Sequence, residues 1–200
     1  MSIWYKSRMK HWSRPAAVLR QNRAILLILL AGLIVRIPIL IFNEGILWPD
    51  SNFYLRFAEG IALKQDFSTH HVFHTPLYPL FLSFFIRFLP QTAKTGFLII
   101  LFQPLMGLLS TILVYRTAKR IFNPPTATWS ALLFTLNPLV LYYEHVIETE
   151  TLFVCILCLL IYLLTSLSDV PTWKQDLLIG FLCAMVTLTW PVAKLLFFVI

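Results

Sequence analysis

The stretch AILLILLAGLIVRIPILIF, residues 24–42, decides the fold class of this chain. It is long and apolar enough to cross a hydrocarbon layer of roughly 30 Å as one helix. Residues 1–23 carry six Lys and Arg side chains and no acid, so the positive-inside rule predicts a cytoplasmic N-terminus. A cleaved signal peptide is the alternative, but the run exceeds an ordinary signal core and no A-x-A-like site follows it. We therefore predict a membrane anchor.

The composition extends this prediction to the whole chain. With 58% hydrophobic residues, 12% charged residues and a mean hydropathy of +0.78, the chain has too little polar surface for a soluble globule. Its net charge of +7 comes largely from bases in residues 1–23 and 116–120, which favours a topological role over nucleic-acid binding. Cys155, Cys158 and Cys183 lie in apolar runs, and the single CxxC has no second pair, so packing is predicted rather than a zinc site.

Four further apolar runs predict membrane-spanning helices. They cover residues 96–115, 126–143, 151–167 and 177 to the end. Between the first two lies RTAKR, residues 116–120, whose three bases predict a cytoplasmic turn. The apolar run 76–89 would reverse that orientation if it also crossed the membrane. Because it is short and contains Pro79 and Arg87, we interpret it as an interfacial or re-entrant helix.

The predicted fold is an all-α polytopic transmembrane helical protein whose first external loop contains juxtamembrane amphipathic helices. Residues 1–23 form a basic cytoplasmic N-terminus, and residues 24–200 form one transmembrane module. Its external segments are residues 43–95 and 144–150. Since the chain stops inside an apolar run, we expect the module to be incomplete at its C-terminus.

The acidic residues collect in the two external segments, which are therefore predicted to face each other. They are Glu44, Asp50, Glu59 and Asp66 in the first segment, and Glu144, Glu148 and Glu150 in the second. Apolar residues recur every three or four positions from 53 to 61, which predicts an amphipathic helix starting at Asp50. Asp50 follows Pro49 at the position of an N-cap, so this pattern leaves capping and catalysis both open.

Five short motifs follow one another along the chain. They are RIP at 36–38, PDSNFYLRFAEGIA at 49–62, HTPLYPLFLSFF at 74–85, ETETLF at 148–153 and GFLCAMVTLTWP at 180–191. Their order and topology resemble the N-terminal module of the C-type membrane glycosyltransferases. More narrowly, residues 24–200 are similar to the bacterial RgtA/B/C/D-like group, which is related to protein O-mannosyltransferases and aminoarabinose transferases.

The resemblance implies an inverting sugar transfer from a polyprenyl-phosphate donor to a lipid, glycan or protein acceptor at the outer face of the cell (inner) membrane. It assigns Asp50 as the catalytic carboxylate, a base that accepts the proton of a weakly nucleophilic hydroxyl. Glu150 matches the second-loop acid that helps to shape the site and in some members takes part in metal binding. A favourable charge at a helix N-terminus is the other interpretation of Glu150. The resemblance fixes no cofactor, is compatible with a divalent metal ion and implies no nucleic-acid partner.

The donor phosphate requires cations near the outer face. Arg36 is a candidate because an arginine inside an apolar span is expensive and usually functional, although snorkelling to the interface is the alternative. His74 matches a polar position before the family's proline. The H-H-x-x-H spacing of residues 70–74 is only a weak zinc signal, and no metal site is predicted. Where relatives often carry a base before a proline this chain has Trp190. Lys194, three residues beyond Pro191, is the candidate replacement, and a different mode of holding the donor is the alternative.

Two other function classes stay open on the sequence. A secondary transporter or lipid flippase would also use ionisable residues within the membrane. Such a protein should concentrate charges at the bilayer midplane, whereas the acids here cluster at the outer surface and no inverted repeat is visible. An accessory subunit without activity is the remaining alternative, because the motifs belong to the N-terminal part of much longer enzymes.

Overall fold

A computed structural model describes residues 15–42, 49–64, 75–88, 94–167, 172–190 and 192–193. The described residues are mostly helical and contain no strand, which confirms the predicted all-α class. The helices are α1 (Pro15–Phe42), α2 (Pro49–Glu59), α3 (Leu77–Phe88), α4 (Lys94–Ile121), α5 (Pro124–Thr135), α6 (Pro138–Tyr143), α7 (Glu150–Leu164) and α8 (Trp173–Thr189). A π-helical turn, Gly60–Lys64, continues α2.

Two of these helices have the length and apolarity of membrane spans. They contain Arg23–Phe42 in α1 and Leu98–Ile121 in α4. Much of α1 faces outward with large apolar side chains, including Leu26, Leu27 and Ile41. Such a surface would be unfavourable in water and matches the predicted setting in lipid.

The predicted span over residues 126–143 is wrong as one continuous helix. The structure divides it into α5 and α6, with Leu136 and Asn137 between them. Pro138 has no N–H to donate to a preceding turn, and the Asn137 side chain accepts a hydrogen bond from the Leu139 N–H at 2.9 Å. An Asn-Pro pair therefore ends one helix and starts the next, which the uniform hydropathy of the run concealed.

The two helices of the predicted external segment 43–95, α2 and α3, agree more closely with the sequence predictions. Helix α3 has 12 residues, about 18 Å at 1.5 Å per residue, which is too short to cross a bilayer and fits the interfacial or re-entrant interpretation. The predicted amphipathic helix is α2. It begins at Pro49, so Asp50 lies in the first turn rather than at the N-cap position. Proline is favoured at such a start because its fixed φ suits the first turn.

Helix α4 lies at the centre of the described residues and packs against α1, α3, α5 and α7. One apolar cluster joins α1, α4 and α5 around Ile28, Tyr115 and Ala131. A larger cluster joins α2, α3, α4, α7 and α8, with Tyr78 and Leu82 completely buried. This packing sets α2 and α3 beside the start of α7, which brings the two acidic segments together.

Candidate functional site

Asp50 and Glu150, the two predicted catalytic acids, line the same pocket. Its cavity volume is about 240 Å³, and its other lining residues are Tyr142, Tyr143 and Glu148. We call it the acidic pocket. Asp50 comes from the first turn of α2 and Glu150 is the first residue of α7, two positions where a helix dipole favours a carboxylate. The structure thus brings together two acids that lie 100 positions apart in the sequence.

Glu148 is the third carboxylate of the acidic pocket, and the sequence analysis did not select it as a site residue. It lies in the irregular segment between α6 and α7, and burial, with the nearby Glu150 and Asp50, raises its pKa to about 7. The Ser51 hydroxyl, 3.4 Å from Glu148 Oε1, opposes this rise by favouring the charged form. The sequence signals for this residue were its place among the acids of segment 144–150 and at the start of the ETETLF motif.

Glu150 carries a buried oxygen that has no partner in the described part of the chain. Its Oε2 makes no hydrogen bond there, and burial raises its pKa, as does the charge of Asp50. A buried carboxylate oxygen without a donor is costly, so it favours a ligand that supplies one. A ligand hydroxyl group has the required chemistry.

Two tyrosines near these acids are held in the protonated form. Burial, followed by the charge of Glu148, raises the pKa of Tyr54 to about 12. Tyr143 lines the acidic pocket together with Glu150. A tyrosine phenol is protonated at neutral pH, so Tyr143, in the pocket lining, can donate a hydrogen bond to a ligand oxygen.

A second cavity, which we call the apolar pocket, adjoins the acidic pocket and shares Tyr143 and Glu150 with it. Its volume is about 270 Å³. Its other lining residues are Gly107, Ser110, Phe134, Leu139, Val140, Glu144, Thr151, Phe153, Val154 and Trp190. Trp190, the departure from the family pattern, packs on Phe153 with ring centroids 5.7 Å apart and so forms an apolar wall. The site therefore has one acidic end and one apolar end.

Arg36, the predicted phosphate-binding residue of α1, forms an ion pair with Glu144. Its side chain is completely buried, and its Nε and Nη2 atoms donate to Glu144 Oε2 at 2.6 Å and Oε1 at 2.7 Å. Its Nη1 donates to the carbonyl oxygens of Gly32 and Thr135 and to Thr135 Oγ1. The guanidinium is buried and does not snorkel to an interface, whereas its predicted contact with a donor phosphate stays a prediction.

The partner of Arg36, Glu144, was missed because several glutamates could have paired with a buried arginine. Burial raises the pKa of Glu144, whereas the hydrogen bonds and charge of Arg36 lower it. Both carboxylate oxygens accept from the guanidinium, which is the geometry of an ionised pair. This ion pair ties α1 to the start of the segment that carries Glu148 and Glu150.

Gly107 makes room for this ion pair. A Cβ at Gly107 would overlap Glu144 Oε1 and Cδ, while the Glu144 carboxylate is fixed by Arg36 and cannot move aside. We expect Gly107→Ala to destabilise the protein by about 1–3 kcal/mol or more, as overpacking does. Gly180→Ala is the matched control, because a Cβ there meets nothing within 4 Å and alanine is the better helix former by up to about 1 kcal/mol.

The measurement is thermal unfolding in one detergent for both glycine variants. Opposite signs of the change in midpoint are expected. Equal shifts for the two variants would contradict the packing of Gly107 on Glu144.

The remaining predicted site residues lie outside the part of the chain that the structure describes. These are His74 and Lys194, with the other two histidines of residues 70–74. Among the described residues, no group of three His, Cys, Asp or Glu side chains is arranged to hold a metal ion. No Lys or Arg appears among the described residues that line either pocket.

Residues 73–200, more than half of the chain, match the dolichyl-phosphate-mannose-protein mannosyltransferase family. The chain belongs to this family. No curated protein and no solved structure matches it. Members of this mannosyltransferase family are membrane glycosyltransferases that use lipid-linked sugar donors, so the predicted resemblance to C-type enzymes is confirmed and the enzyme is favoured over the transporter. The match includes Glu148 and Glu150 but begins after Asp50 and Arg36.

Proposed function

We propose that this protein transfers a sugar from a polyprenyl-phosphate donor to a hydroxyl group of an acceptor at the outer face of the cell membrane, with inversion at the sugar carbon. The observation that carries the proposal is the junction of the acidic and apolar pockets at Glu150 and Tyr143. A lipid-linked sugar has the same two-ended chemistry. Its isoprenoid chain fits an apolar lining, and its sugar hydroxyls fit carboxylates and a phenol.

In the proposed reaction Asp50 acts as base. Asp50 is exposed in the acidic pocket, where an acceptor hydroxyl can reach it. As the acceptor oxygen forms its bond to the anomeric carbon, the Asp50 carboxylate takes the hydroxyl proton. The bond from that carbon to the phosphate oxygen breaks, and polyprenyl phosphate leaves with the electron pair. A base positioned in this way contributes typically about 10²–10⁴-fold.

Glu148 and Glu150 support this step by orienting hydroxyl groups. Glu150 Oε2 is buried without a donor in the described residues, and a hydroxyl of the sugar would satisfy it. Glu148 orients the acceptor when it is ionised, so transfer should rise as pH rises through about 7. The donor phosphate is assigned to His74 and Lys194, and Arg36 acts by fixing Glu144 and the segment that follows it.

The proposed orientation places the N-terminus in the cytoplasm of a multi-pass inner-membrane protein. The bases of residues 1–23 and 116–120 support it. The short helix α3, which cannot cross a bilayer, keeps the two acidic segments on the side opposite to those bases.

Purified protein in liposomes tests the function directly. We expect transfer from radiolabelled polyprenyl-phosphate sugars and none from the same sugars as nucleotide conjugates, since the apolar pocket suits an isoprenoid chain. Labelling of Lys94→Cys from outside and Lys119→Cys from inside, on right-side-out vesicles, tests the orientation. Transfer from nucleotide sugars alone, or a cytoplasmic position 94, would contradict the proposal.

A further inference from the structure

Gln103 is a polar side chain in the middle of the apolar helix α4, and it is completely buried. Its amide nitrogen donates to the carbonyl oxygens of Glu144, at 3.1 Å, and Val146, at 2.7 Å. Both carbonyls belong to the irregular segment that connects α6 to α7. One amide therefore holds the backbone of the segment that carries Glu148.

The other end of the same amide reaches the external helices. Gln103 Oε1 accepts a hydrogen bond from the hydroxyl of Tyr78 in α3 at 2.8 Å. Tyr78 is itself fully buried, and its ring packs edge-on against Tyr54 in α2, with centroids 5.2 Å apart. Tyr54 lies one helical turn beyond Asp50. Gln103 thus connects the segment bearing Glu148 with the helix bearing Asp50.

We propose that Gln103 is a positioning residue for sugar transfer, which sets the placement of the segment 144–149 relative to Asp50 through its contacts with that backbone and with Tyr78. The inference rests on the proposed function of the acidic pocket. It goes beyond that function because it assigns an effect on the transfer rate to Gln103, a buried residue that does not touch the reacting atoms.

The chemistry of the contacts requires an amide. At position 103 one side chain donates to two carbonyl oxygens, of which that of Val146 also accepts from the Glu148 N–H, and accepts from the Tyr78 hydroxyl, so it must supply both a donor and an acceptor. A glutamate would turn an acceptor toward the two carbonyls, and a methionine of similar length would supply neither contact. A displacement of about 1 Å in a reacting group can cost about 10²-fold in rate. If segment 144–149 loses its contacts with Gln103, we therefore expect slower sugar transfer even though the protein stays folded.

The test compares Gln103→Met and Tyr78→Phe with wild type in lipid. We expect Gln103→Met to lower kcat by about 10–10²-fold while the donor KM changes by less than about threefold, because orientation is lost and binding surface is kept. Tyr78→Phe removes only the contact to Gln103 Oε1, so its loss in kcat should be smaller. Hydrogen exchange of the backbone amides of residues 144–149 should become faster in Gln103→Met.

Thr111→Val is the matched control, since Thr111 is buried in the same helix and its hydroxyl bonds only to the Gly107 carbonyl oxygen within that helix, among the contacts described. It should leave both the exchange of residues 144–149 and kcat near wild type. Unchanged exchange in Gln103→Met would overturn the positioning role. Faster exchange with unchanged kcat would also overturn it, because Gln103 would then hold the segment without positioning it for transfer. Absence of sugar transfer in the wild-type protein would instead contradict the proposed function of the acidic pocket.

Discussion

Asp50→Asn is expected to lower sugar transfer by at least about 10²-fold, or about 2.7 kcal/mol in the barrier, with the protein still folded. Asparagine has nearly the size of aspartate but cannot accept a proton at neutral pH. Asp50 lies in the first turn of α2 and is exposed, so its replacement removes only a favourable charge near a helix N-terminus. That loss is typically about 0.3–1 kcal/mol of stability.

The measurement is transfer from a radiolabelled polyprenyl-phosphate sugar by full-length protein in lipid, with donor binding and the unfolding midpoint measured on the same preparations. An Asp50→Asn variant as active as wild type would show that Asp50 serves the helix and not the reaction. Asp50→Ala adds the loss of side-chain contacts and should be no more active than Asp50→Asn.

Glu148→Gln is the matched variant in the same pocket. It keeps the side-chain length but removes the group whose pKa is raised to about 7. Transfer by wild type should therefore rise between about pH 6 and pH 8, and Glu148→Gln should lose this dependence.

The native protein holds the Glu148 proton between the ordinary pKa near 4.5 and about 7, so ionisation of Glu148 destabilises the fold as pH rises through that window. Glu148→Gln should therefore be at least as stable as wild type at pH 8, which separates a catalytic defect from misfolding.

Arg36→Leu is expected to be the most destabilising of these substitutions, by about 3–5 kcal/mol, because it leaves the Glu144 carboxylate buried without its partner. Removing a charge from an apolar helix eases its insertion in isolation. In the folded protein, however, the substitution removes the ion pair with Glu144, so its net effect on stability is unfavourable. The measurement is the yield of folded protein and its unfolding midpoint in one detergent.

Two further variants separate pairing from phosphate binding. Arg36→Lys keeps a positive charge but loses the two-pronged contact, so it should retain part of the stability. The double replacement of Arg36 and Glu144 by methionine should recover most of it, since apolar side chains often replace a buried ion pair without loss. A stable Arg36→Leu variant that loses only donor binding would show that Arg36 binds the donor phosphate.

The sequence by itself determined the helical membrane class, because apolar run length and the distribution of bases are local properties of the chain. It also predicted the helix at residue 50 and the short helix α3, whose periodicity and proline are visible in the letters. The helix break at Asn137 was not predicted, because hydropathy averaged over residues 126–143 gave one apolar run. The Asn-Pro pair at residues 137 and 138 was the sequence signal for it. His74 and Lys194 stay predictions from the family resemblance.

Only the tertiary structure decided which charged groups meet. Arg36 and Glu144 are 108 residues apart, and the sequence does not show which of several glutamates pairs with the arginine. Only the packing of the helices identifies Glu144 as the partner. The raised pKa of Glu148 depends on its burial and on the distances to Asp50 and Glu150, which no spacing in the sequence encodes. In the sequence Gln103 is a single polar residue in an apolar run, and its proposed positioning role rests on three long-range hydrogen bonds that only the tertiary structure shows. Local pattern fixes helices because their hydrogen bonds are local, whereas the site depends on contacts between helices that only the packed chain brings together.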